Sequence, residues 1–177
     1  MSLFVALGLL ALIPAGAPEA ITQPAVVPDA AFADTLDPGW PRTRAERTGY
    51  EETSRFADVI AFMDSLALRR PDLDVRTFGV TEEGRRLPLV VFGAGAGASA
   101  EAIRNDDRIR ILVLANIHAG EVAGKEAALV LARDLAAGRH DDWLESAIVM
   151  IAPIYNADGN ERIGLRNRPG QFGPIAG

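Results

Sequence analysis

Two apolar strands with one helical segment between them constrain this chain more than any other feature. Ile109 to Ala115 is nearly all apolar, as is Ala147 to Ala152, which Pro153 ends. Strands of this kind fit a sheet covered on both faces. Between them a helical pattern runs from Glu121 to about Ala137, and Gly138 supplies its stop. Strand, helix, strand with apolar strands predicts a parallel crossover unit and an α/β fold. Upstream, Val75 to Val80 and Leu87 to Phe92 flank Thr81-Glu-Glu-Gly-Arg-Arg86, where Gly84 can supply a positive φ. That predicts a hairpin extending the sheet. The expected architecture is a mixed, mostly parallel sheet flanked by helices.

A further helix is predicted from Tyr50 onward, because Phe56, Val59, Ile60, Met63 and Leu66 recur at three- and four-residue steps until Pro71. The 177 residues suit one domain with a sizeable core. Three stretches are expected: a signal peptide over 1–17, an N-terminal arm over 18–49 and the main domain over 50–177. The signal rests on the apolar run Leu3 to Ile13, followed by Pro14 and the small residues Ala15-Gly16-Ala17. The run is too short to span a bilayer as an ordinary helix, so no stable membrane anchor is expected. Secretion or a periplasmic location follows. The arm is Pro-rich and without periodicity (Pro18, Pro24, Pro28, Pro38, Pro41), which reads as chain laid over a surface.

Composition narrows the chemistry. The net charge is −6 and Lys and Arg form no long run, which argues against a nucleic-acid partner. Cysteine is absent, so any metal must be held by imidazole and carboxylate groups. The alternating Gly and Ala of Gly93 to Ala100 lack the spacing of a dinucleotide site.

His118 lies just past a predicted strand, where open α/β sheets place ligand sites, and Glu121 falls in the first turn of the next helix. Both can face one crevice, and Ala119 and Gly120 leave room beside them. An acidic residue at a helix start is also common without a metal. His140 follows Gly138-Arg139 and precedes Asp141-Asp142, which reads as a solvated histidine near a helix end. Asn156, Asp158 and Gly159 form a turn past the second strand. Arg162, Arg166 and Arg168 follow it, suited to polarising a carbonyl or binding a carboxylate, or to being surface charges.

Four stretches, in this order and spacing, resemble the zinc carboxypeptidase family of carboxypeptidase A-like metallopeptidases: Thr81-Glu-Glu-Gly-Arg-Arg-Leu87, Asn116-Ile-His-Ala-Gly-Glu121, Pro153-Ile-Tyr-Asn-Ala-Asp-Gly159 and Asn167-Arg-Pro-Gly-Gln171. The resemblance implies Zn2+ held by His118 and Glu121, and an oxyanion-stabilising arginine after the turn, with Arg168 the first choice and Arg166 the second. It implies a metallocarboxypeptidase acting on peptide or, given export, cell-wall peptide substrates. Ala157 stands where the family often has proline, and Gly120 where digestive members carry arginine. The family's second zinc histidine, carboxylate-binding arginine and general-base glutamate lie downstream of this region. The expectation is therefore an incomplete and inactive N-terminal portion of a longer enzyme. An amidohydrolase or deacylase on the same fold, and a non-catalytic binding module, are the alternatives.

Overall fold

The computed structural model describes residues 39–164. The described residues all belong to one compact unit. The anticipated signal and most of the arm lie outside the described residues.

Thr43 opens the described helices. Its side chain accepts from Glu46 N–H while the Glu46 carboxylate accepts from Thr43 N–H, a reciprocal cap that nucleates the single turn α1 (Arg44–Arg47). Helix α2 (Phe56–Arg69) buries Val59, Phe62, Met63 and Leu66. Each such side chain contributes about 1.5–3 kcal/mol relative to exposure. The predicted face is thus present, with Phe62 added and Phe56 and Ile60 only partly buried. Strands β1 (Asp74–Val80) and β2 (Arg86–Phe92) form the expected antiparallel hairpin, with a register shift between Thr77 and Gly79 and Gly84 at φ 83°. Next comes α3 (Ala100–Asn105), a short helix capped by Ser99. Then follow β3 (Ile109–Leu114), α4 (Val122–Ala136), α5 (Asp141–Ser146), β4 (Ala147–Ala152) and α6 (Ala157–Glu161). Gly138, at φ 76°, follows the end of α4.

The sheet has four strands among the described residues, in the order β1-β2-β4-β3. Only β3 and β4 are parallel, in continuous register from Ile109↔Ala147 to Leu114↔Ala152. β2 pairs antiparallel with β4 as well as with β1. The sheet is therefore mixed but not mostly parallel. The crossover unit contributes one parallel pair, and the hairpin's inner strand docks on β4 in the opposite direction. A second expectation is also corrected. β4 is buried along nearly its whole length, but β3 is the edge among the described strands, with Ile109, Ile111, Leu112 and Leu114 exposed. An apolar sequence fits a covered strand, but whether a layer covers it depends on elements elsewhere.

The main core lies between one sheet face, which includes Val90, Phe92, Val149 and Ile151, and helices α2 and α4. The opposite face carries a smaller cluster of Val91, Ile148 and Ile103 of α3. Within the first core layer sits a charged group. Lys125 of α4 is fully buried, and its Nζ donates to the Ser54 carbonyl and to Asn160 Oδ1 of α6. Burial pushes its pKa down from 10.5 to about 8, against the attraction of Glu126 and Glu161. Beside it, Glu126 accepts from Ser54 N–H, Ser54 Oγ and Thr53 Oγ1 at 2.6–3.0 Å. The described part of the anticipated arm is tied to the same helix, because buried Arg133 forms a bidentate pair with Glu46 at 2.7 and 2.8 Å.

Candidate metal centre

The parallel ladder continues one residue beyond β3, where Ala115 N–H donates to the Ala152 carbonyl. The chain then leaves the sheet at Asn116, whose φ of 56° is left-handed. Asparagine tolerates this region better than most residues. The backbone here is tied to the turn after β4: Tyr155 N–H donates to Ala115 O and Asn156 N–H to Asn116 O, both at 2.9 Å. The Asn116 side chain is buried, and its Nδ2 donates to the carbonyls of His118 and Ala119 at 3.3 Å. The segment carrying the candidate ligand is thus held from within by one amide.

His118 and Glu121 converge. Glu121 is the N-cap residue of α4, and Glu121 N–H donates to the His118 carbonyl at 3.0 Å, forming a tight turn. This turn places His118 Nδ1 2.7 Å from Glu121 Oε1. The second carboxylate oxygen accepts from His118 N–H at 3.3 Å. Both side chains are open to solvent, at 59% and 45% exposure. The two side chains are hydrogen-bonded directly to each other; imidazole nitrogen and carboxylate oxygen are both groups that bind zinc, and their exposure fits a site with open coordination positions better than a closed structural one. Among the described residues no group of three or more His, Asp or Glu side chains assembles as a metal cage.

The turn past β4 is built around Asp158. Its Oδ1 accepts from Thr81 Oγ1 at 2.7 Å and from Arg85 Nη1 at 2.6 Å, and its Oδ2 accepts from Glu83 N–H at 3.1 Å. Burial acts to raise its pKa, but these three donors outweigh it and hold the carboxyl below its ordinary 3.8. Three of the four motif stretches therefore meet at this turn, with the hairpin tip latched to α6 and the Asn116 segment bonded to Asn156. Asn156 caps that helix by accepting from Gly159 N–H at 2.9 Å, and a Cβ at Gly159 would come within 2.7 Å of the same oxygen.

Of the other residues singled out by sequence, Arg162 pairs with Glu83 of the hairpin. Arg166 and Arg168 lie outside the described residues. His140 is half-buried and stacks on Trp143 with ring centroids 4.1 Å apart, so it is packed and not simply solvated. Sequence reasoning did not single out Asn116 or Lys125. The one local signal was an asparagine at the point where an apolar strand stops.

Comparison with known proteins gives a consistent result. A family model described as zinc carboxypeptidase matches residues 59–172. A curated relative, carboxypeptidase 2 of Trichophyton rubrum, is 33% identical over 85 residues, covering 45% of this chain and 15% of the fungal protein. Among solved structures, carboxypeptidase A from Helicoverpa armigera is similar with a TM-score of 0.51 at 20% identity, over 60% of this chain and 25% of that one. Thrombin-activatable fibrinolysis inhibitor gives a TM-score of 0.51 at 19% identity, over 71% of this chain and 29% of the other. The two structures speak to the fold alone. This chain spans 15% of the length of the fungal relative and about a quarter of these two structures.

Proposed function

The chain belongs to the zinc carboxypeptidase family, and from that premise we propose that His118 and Glu121 are two zinc ligands of a metallocarboxypeptidase acting on peptide substrates. The observation that carries the proposal is the approach of His118 Nδ1 to Glu121 Oε1 at 2.7 Å, on two solvent-open side chains held by a buried asparagine. When bound, zinc supplies Lewis-acid polarisation of the scissile carbonyl and lowers the pKa of its bound water. The chain's own residues then have separate tasks. His118 and Glu121 offer nitrogen and oxygen donors. Asn116 fixes the segment between them, and Asp158 with Arg85 holds the neighbouring turn against the hairpin. Arg168 is assigned to face the developing oxyanion, with Arg166 as the second choice.

A catalytic zinc has three protein ligands, and among the described residues the pair is joined by no further group. The 177-residue chain on its own is therefore expected to take up zinc weakly and to hydrolyse peptides below detection. Export to the periplasm or the medium belongs to the same proposal and rests on the apolar run Leu3 to Ile13 and the small residues after it. Cell-wall peptides join the proposed substrates on that ground.

Calorimetric titration with zinc tests the ligand assignment. One equivalent should be taken up, and His118→Ala should abolish the heat. Uptake that survives both His118→Ala and Glu121→Gln would remove the proposed site.

A further inference from the structure

Helix α6 has five residues, too few to be stable on its own. Its bonds to the rest of the chain hold it. At its start, Asn156 N–H donates to the Asn116 carbonyl at 2.9 Å. In its middle, Asp158 takes the hairpin tip through Thr81, Glu83 and Arg85. Near its end, Asn160 Oδ1 accepts from Lys125 Nζ. The other side of the same amide, Nδ2, donates to the Ser54 carbonyl at 3.3 Å and to Glu161 Oε1 at 3.0 Å. Glu161 Oε1 also accepts from Phe56 N–H at 2.8 Å, at the first residue of α2.

Two of these bonds fall on either side of the candidate ligands. Asn116 lies two positions before His118, and Lys125 lies four positions after Glu121. The chain from Asn116 to Lys125 is thus closed into a ring by Asn156 and Asn160, and the His118–Glu121 turn is the solvent-open arc of that ring. The bond from Glu121 N–H to the His118 carbonyl and the bonds of Asn116 Nδ2 are internal to the arc. They give the turn its shape. The bonds at its two ends fix where it stands.

The chemistry of the closure points the same way. Lys125 is fully buried and Asn160 is 5% exposed. Apolar side chains of similar volume would join α4 to α6 without the cost of desolvating an ammonium. Directional bonds add what apolar contact lacks, a fixed rotation and rise of the first turn of α4. That turn begins at Glu121.

We propose that α6 is the template of the ligand turn, and that Asn160 and Lys125 are positioning residues that set where Glu121 stands relative to His118. The link to metal binding rests on the reading of His118 and Glu121 as zinc ligands, whereas the ring itself does not.

The test reads amide hydrogen exchange and zinc affinity in the 177-residue chain. Asn160→Ala opens the ring, and the His118 and Glu121 amides should then exchange about tenfold faster relative to those of β4. Zinc should bind about tenfold more weakly, the loss expected when a group supporting a metal ligand is removed. Lys125→Met should do the same, and it carries the comparison if Asn160→Ala does not fold. Leu135→Ala, a buried position at the far end of α4 and outside the ring, should lower stability and leave both readouts unchanged. Asn160→Asp, which keeps an acceptor opposite Nζ, should retain most of the protection and affinity. Equal acceleration in Leu135→Ala and the ring variants would overturn the proposal, as would a zinc affinity that the ring variants leave intact. Lack of zinc uptake by the unaltered chain would sink the ligand assignment instead, and the exchange comparison would still decide whether α6 holds the turn.

Discussion

Glu121 and Lys125 lie one helical turn apart at the start of α4 and serve opposite purposes. Lys125 is fully buried, closed in by the Ser54 carbonyl and Asn160 Oδ1. Glu121 faces solvent beside His118. The buried turn fixes where the helix begins, and the open turn leaves its polar atoms accessible to a cation. A charge committed to the fold is costly to disturb and does no chemistry. A charge left open costs little to remove and is where chemistry can happen. Four predictions can break or sharpen this contrast.

The largest effect is expected for Lys125→Ala. It leaves Asn160 Oδ1 without its buried donor and opens a cavity along the lost stem, for a destabilisation of roughly 3–4 kcal/mol in chemical denaturation. A change under about 0.5 kcal/mol would mean that the clamp is not structural.

Next comes pH. Lys125 has a folded pKa of about 8 against 10.5, so between these values the unfolded chain binds more protons than the folded one. Stability should therefore rise with pH across that window and fall as pH drops through 8, by up to about 3 kcal/mol. Lys125→Met, which keeps an unbranched apolar side chain but no charge, should flatten the difference. Parallel curves for the two proteins would refute the assignment.

A smaller effect is expected at Asn116. Its φ of 56° suits glycine, so Asn116→Gly removes the two amide hydrogen bonds without backbone strain and should cost about 1 kcal/mol. Hydrogen exchange at residues 118–121 should accelerate. Asn116→Ala adds left-handed strain and should be worse by about 1 kcal/mol.

The smallest change in stability belongs to His118→Ala, within about 0.5 kcal/mol because the side chain is exposed. The same variant should lose zinc uptake altogether. A His118→Ala protein that unfolds readily would erase the contrast with Lys125.

Much of the fold was readable along the chain. The apolar spacing of Val59, Met63 and Leu66 placed α2, Gly84 placed the hairpin, and Pro153 ended β4 where the structure ends it. Thr43 and Glu46 carry a capping-box spacing that marks α1, but a single turn has too little periodicity to stand out. The convergence of His118 and Glu121 was legible because both lie in one turn. Helix α3, the exposure of β3 and the majority of antiparallel pairs were not legible.

The linear order of residues determined the long helices α2 and α4, the four strands and which two side chains share the turn between β3 and α4, since those depend on neighbours within a few positions. The folded chain decided what the turn rests on. Lys125 meets Ser54 across 71 positions, and Asp158 meets Thr81 across 77. Contacts of that span come from docking one element on another, and no local periodicity records which distant partner will be there.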